Sequence, residues 1–250
     1  MIVYLEGLHR KREDFRADGS GPFQKLRLKL LVDEGSASAS EILAGALQDN
    51  GRARLYGRRT FGKGLVQEPY YFSDKSGMRI TVARYYTPAG RCIQKPYSAD
   101  YDYEVLQRYE SGEMVHADSM RVEKGGILPD VFVPVDTTRA GQFYIASNRK
   151  ATTMRFASAF FDSHRRELSQ IDDYGRLLDW LDRAGLEQQF LAFARSKDQL
   201  VPKPEEWSTD RQYIMTQVQA LVGRYSKLGD KAYYHLFLQT DPTFKAAMGF

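Results

Sequence analysis

Apolar and polar positions change rhythm along this chain of 250 residues. From Leu26 to Val32 apolar and basic residues alternate and then turn wholly apolar, the pattern of a strand entering a core. From Ser38 to Gln48 the spacing is helical, with Ile42, Leu43, Ala46 and Leu47 as its apolar positions. Ala53 to Gly57 reads as a strand. Leu65 to Phe72 and Met78 to Tyr86 are β-branched or aromatic runs on either side of Ser73 to Gly77, a hairpin pattern that Pro88-Ala89-Gly90 ends. Residues 94–120 are rich in Tyr, Asp and Glu without a clear period, which predicts a long surface excursion. Gly126 to Pro134 returns to a strand pattern, and Met1 to Glu6 reads as a strand already under way. Strands interleaved with a crossing helix predict an α/β architecture for residues 1–140.

The texture changes at residue 141. Leu177, Leu178, Leu181, Phe190, Leu191 and Phe193 fit amphipathic helices broken near Gly185. Ser208-Thr209-Asp210 predicts the start of a helix carrying Ile214, Val218, Leu221 and Val222. Asp241-Pro242 opens a short last helix, with proline at the tolerated first position. Val201-Pro202-Lys203-Pro204 links two of these helices. Residues 141–250 are therefore expected to form a helical C-terminal domain.

Composition narrows the classes without choosing among them. Hydrophobic residues make up 42% and charged residues 27%, an ordinary globular balance rather than a collagen-like or disordered one. The formal net charge of +4 is too small to argue for a nucleic-acid partner. A single cysteine, Cys92, excludes an internal disulfide and a multi-cysteine metal site. No apolar run approaches the roughly 20 residues of a membrane helix, and Met1 to Glu6 reach a charge too early for a secretory signal.

The chemistry-bearing candidates cluster where the first strand meets the first helix. Ser38 and Glu41 form S-x-x-E, a capping box that satisfies free amides at a helix start. The small residues around them would also let the helix pack closely on a sheet. The same geometry suits a nucleophile: a serine at a helix N-terminus lies beside free N–H groups, and the amide of Ala39 could stabilise an oxyanion. Such a serine needs a base. His9, His116, His164 and His235 are scattered and fit no triad. Lys63 lies between Gly62 and Gly64 at a strand start, and an extended 63–67 segment would turn Lys63, Leu65 and Gln67 to one face. A lysine base must be neutral, which requires burial, and Phe61, Leu65 and Val66 could supply it. Two further matches carry less. Gly57 to Lys63 fits G-x-x-x-x-G-K, but Gly64 stands where a phosphate loop needs Ser or Thr. Ser147 to Lys150 fits S-x-x-K without its companion motifs.

The segments Gly35 to Ile42 (GSASASEI), Ala44 to Asp49 (AGALQD) and Thr60 to Gln67 (TFGKGLVQ) together resemble the carboxy-terminal processing peptidases, the tail-specific serine proteases of family S41. The resemblance continues through Arg79 to Pro88 (RITVARYYTP), Gly90 to Gln94 (GRCIQ) and Gly126 to Asp130 (GILPD), and covers roughly residues 1–136. It implies a partial protease core of ClpP/crotonase-like α/β fold, followed by an all-helical extension. It implies a serine endopeptidase that cleaves polypeptides near their C-termini, with Ser38 as nucleophile, Lys63 as general base, Gln67 as the partner orienting the lysine, and the Ala39 amide as an oxyanion donor. No cofactor or metal is implied. The expected setting is extracytoplasmic, periplasmic or cell-envelope in a bacterium, and the expected partners are polypeptide tails. Upstream features of the family, a PDZ domain and an Asn-Pro-Gly-Gly-like oxyanion segment, have no counterpart in this sequence, so the expectation is a C-terminal portion whose own activity is open. The rival expectation is a non-catalytic module that forms homo-oligomers through its helical half.

Overall fold

The computed structural model describes residues 1–97, 104–117, 124–136 and 141–249. Its contacts divide the chain into two units, Met1–Val135 and Asp136–Met248.

The first unit holds two small sheets. The strands β1 (Val3–Glu6), β2 (Glu13–Phe15), β5 (Leu65–Tyr71) and β6 (Gly77–Tyr86) form an antiparallel sheet in the order β2-β1-β6-β5. The strands β3 (Leu28–Val32), β4 (Ala53–Gly57) and β7 (Val131–Phe132) form a parallel sheet in the order β3-β4-β7. Parallel neighbours need a crossover, and α1 (Ala39–Asp49) supplies it between β3 and β4. Val32, Ala44, Leu55, Ile93 and Ile127 make the core beneath this crossover. The helix packs closely: a Cβ on Gly45 would stand 2.6 Å from the Thr87 methyl.

Most of the predicted strands are present, with two differences. β2 has a wholly exposed face and no apolar alternation; pairing with β1 forms it. The run expected over Gly126 to Pro134 is a strand only at Val131–Phe132. Gly126 takes a φ of 73°, and the Asp130 carboxylate accepts the Leu55 amide at 2.7 Å, a place a longer ladder would use for backbone. The 94–120 excursion, of which residues 98–103 and 118–120 lie outside the described residues, contains a short helix, α2 (Glu104–Glu110).

The second unit is helical throughout: α3 (Gln142–Arg149), α4 (Thr152–Ser163), α5 (Arg165–Leu168), α6 (Tyr174–Arg183), α7 (Leu186–Asp198), α8 (Pro204–Tyr225), α9 (Asp230–Phe237) and α10 (Pro242–Met248). Phe156, Phe160, Leu177, Leu181, Phe190, Ile214 and Val218 are buried in its core. Gly185, at φ 67°, makes the break between α6 and α7. The helix expected from Ser208 starts a turn earlier. Pro204 occupies its first turn and the Glu206 carboxylate accepts the Lys203 amide at 3.0 Å, while the Ser208 and Thr209 hydroxyls donate back to the Glu205 carbonyl. Among the described residues no helix is long and apolar enough to cross a membrane.

Candidate active site

The turn from β3 into α1 is built by its own polar side chains. Asp33 accepts the Gly35 amide and the Ser36 hydroxyl, each at 3.0 Å. The chain then reaches Ser38, the N-cap of α1, with φ 59° and ψ −117°. A non-glycine residue at positive φ is strained by about 1–3 kcal/mol and persists only where its surroundings fix it. Ser38 is exposed, and the Ala39 amide makes no hydrogen bond among the described residues.

Glu41 fixes the turn, and does more than cap a helix. It is fully buried, at 0% exposure. Its Oε2 accepts the Ser38 amide at 2.9 Å and the Lys63 amide at 2.8 Å; its Oε1 accepts the Gly62 amide at 2.6 Å and the Thr60 hydroxyl at 2.5 Å. The backbone amides of Ser38 and Lys63 thus meet on one oxygen. A further bond, from the Phe61 amide to the Ser36 carbonyl at 2.9 Å, ties the same two segments.

The glycines flanking Lys63 are required by close approach. Gly62 has φ 90°, and a Cβ there would lie 2.9 Å from Lys95 Cβ. A Cβ on Gly64 would stand 2.7 Å from the Gln94 amide, whose side-chain oxygen accepts the Gly64 amide at 2.9 Å. Behind this loop lies an ion cluster. Arg59 donates to Glu113 at 2.7 Å and to the Lys124 and Gly125 carbonyls, while Arg108 donates to Glu113 at 2.8 Å and to the Arg59 carbonyl at 2.6 Å. Burial pulls the Arg108 guanidinium below its ordinary value, and the charge of Arg59 adds to this. Burial alone would raise Glu113, but the bonds and charges of Arg59, Arg108 and Lys124 hold its carboxyl below the usual value.

The predicted side chains do not meet directly. No hydrogen bond joins Ser38, Lys63 and Gln67 among the described residues, and Lys63 is exposed rather than enclosed by Phe61, Leu65 and Val66. Gln67 donates to the Thr81 hydroxyl at 3.4 Å across the hairpin. Of the weaker matches, Ser147 is fully buried on α3 and Lys150 donates to the Asp198 carbonyl at 2.7 Å, so that S-x-x-K faces no open site. Gly57 to Lys63 runs into β5 rather than into a helix.

Residues 1–105 match the model of peptidase family S41. Over that stretch the sequence is similar to the S41 peptidases. The carboxyl-terminal-processing protease of Synechocystis is 50% identical over 94 residues, covering 38% of this chain and 22% of that protein. Carboxyl-terminal-processing peptidase 2, chloroplastic, of Arabidopsis thaliana is 49% identical over 96 residues, covering 38% and 19%. A solved structure of the photosystem II D1 C-terminal processing protease shares 35% identity over 55% of this chain and 28% of its own, with a TM-score of 0.39. The chain spans about a fifth of the length of the curated relatives it matches. The matched stretch, residues 1–105, contains both Ser38 and Lys63. It also contains Glu41, whose S-x-x-E signal is visible in the sequence but whose reach to Thr60, Gly62 and Lys63 is not.

Proposed function

We propose that the S41 stretch forms the serine–lysine part of an endopeptidase that cleaves polypeptides near their C-termini, outside the cytoplasm. In this reading Ser38 Oγ attacks the scissile carbonyl and Lys63 takes its proton. The Ala39 amide bonds the developing oxyanion, and the protonated lysine then gives its proton to the leaving amine. Water releases the acyl group by the same steps in reverse order. Gln67 orients the lysine.

The observation that carries the reading is the convergence of the Ser38 and Lys63 amides on one buried Glu41 oxygen, with Ser38 held at a strained, exposed turn. The reading also sets a requirement. A lysine amine serves as base only when desolvation lowers its pKa from about 10.4, so bound substrate must cover Lys63. The exposure of Lys63 favours one rival reading, a non-catalytic interaction or dimerisation module that retains both residues without using them.

A serine-directed fluorophosphonate separates the two. The catalytic reading expects label on Ser38, lost in Ser38→Ala and strongly reduced in Lys63→Ala. Label on a different serine, or on Ser38 undiminished by Lys63→Ala, would remove the assigned roles; no label at all would favour the interaction module.

A further inference from the structure

We propose that the helical unit carries a docking groove for the apolar carboxyl terminus of a polypeptide, with Arg195 receiving the terminal carboxylate. The groove, of about 710 Å³, runs between α7 and the start of α8 and is lined by Leu191, Leu200, Val201, Pro202, Pro204 and Trp207, with Arg195 and Ser196 beside them. That volume is in the range of sites that hold a ligand or a few residues of chain.

Local sequence explains the shape. Gln199 ends α7 in the left-handed conformation, at φ 57°, and the Leu200 amide donates to the Ala194 carbonyl at 3.0 Å, so the linker folds back along α7. Pro202 and Pro204 then remove two amide donors from the wall they form. Trp207 spends its indole N–H on Glu187, at 3.0 Å, packs its ring against Phe143 and Phe190, and lines the groove with the part left exposed. Val201 is 66% exposed, a large apolar side chain left in water at the groove's edge.

Charge selects the occupant. No acidic side chain lines the groove, and its one cation, Arg195, is exposed and has no ion-pair or hydrogen-bond partner among the described residues. A guanidinium is a planar fork matched to a carboxylate. The Ser196 hydroxyl donates to the Phe193 carbonyl at 3.3 Å and keeps acceptor capacity for a ligand amide. The groove is open along one side. A peptide suits that geometry, because its side chains can enter the apolar wall while its backbone stays in water. An acyl chain would leave the apolar surface on its open side in water.

The inference deepens the proposed function by locating where a tail is held, and rests on that reading only for the use made of the bound tail. The test therefore measures binding without turnover, in the full chain carrying Ser38→Ala. Fluorescein-labelled peptides ending in Leu-Val-Ala, one with a free carboxylate and one as the terminal amide, are titrated by anisotropy. The acid is expected to bind about fivefold more tightly than the amide, the upper range for an exposed ion pair. Arg195→Gln should bring the acid down to the level of the amide, and Val201→Glu should weaken both. Both side chains are exposed, so these variants should keep the parent's helical circular dichroism. Equal binding of acid and amide, binding of neither, or acid binding unmoved by either substitution would overturn the proposal. None of these results depends on fluorophosphonate labelling of Ser38, so the two readings fail separately.

Discussion

Ser38 sits at a backbone angle that costs about 1–3 kcal/mol, and the bonds holding it there converge on one side chain. Glu41 has four donors on two oxygens and no exposure to water. Glu41→Gln keeps the shape but replaces one oxygen with an NH2 group. Turned one way, the NH2 group faces the Ser38 and Lys63 amides; turned the other, it faces the Gly62 amide, while the Thr60 hydroxyl can rotate to accept from it. An unsatisfied buried group costs about 1–3 kcal/mol, so the variant, which leaves at least one amide unpaired, is expected to lose about 1–3 kcal/mol in urea unfolding. It should also lose most fluorophosphonate labelling, because the serine turn and the lysine loop are no longer tied to one atom. An unchanged urea midpoint would mean that the carboxylate is replaceable by any acceptor and that Ser38 is held by the turn alone.

The lysine loop is also held from behind, by elements distant in sequence. Arg59 two residues after β4, Arg108 on α2 and Glu113 beyond it form a cluster in which all three side chains are nearly inaccessible. Removing one partner from such a cluster costs about 3–5 kcal/mol. The pH dependence follows from Glu113. Its folded value lies below the ordinary 4.5, so the stabilisation is fully present above that value and disappears as pH falls through the depressed folded one. Glu113→Gln is therefore expected to be less stable at neutral pH and to lose part of the wild-type decline in stability below pH 4.5; an acid limb identical in the two proteins would assign that decline to other carboxylates. This cluster shows where sequence reading stops. The β3-α1-β4 crossover was legible because its apolar positions keep a clear period. α2 was not, because what anchors it is Arg108 bonding to Glu113 and to the Arg59 and Thr60 carbonyls, contacts that leave no local pattern. Glu41 lies between these cases. Its capping spacing was readable, and its bonds to residues 19–22 positions further on were not.

At the scale of the chain, the two units differ in how they could stand alone. The first has a five-residue buried cluster under its crossover and carries several exposed large apolar side chains, among them Leu8, Phe23, Tyr70 and Tyr71. The second has a continuous core drawn from α3 to α9, with Phe143, Phe156 and Phe190 in edge contact, and side-chain caps of its own. Asp210, fully buried on α8, accepts the Gly141 and Tyr144 amides at 2.6 and 2.8 Å and so caps α3 from within the unit. Asp198 accepts the Thr152 hydroxyl at 2.6 Å and the Arg155 guanidinium at 2.8 Å, closing α4 onto the end of α7. A unit that satisfies its helix ends internally and buries one connected core has what autonomous folding requires. Residues 136–248 expressed alone are therefore expected to be helical and to unfold in one cooperative step, with an enthalpy of roughly 80 kcal/mol near 60 °C for about 110 residues. A broad, non-cooperative melt would show that this core needs the rest of the chain. A sharp one would make the 136–248 piece a second vehicle for the Arg195 groove, in which tail binding can be measured with no serine–lysine pair present.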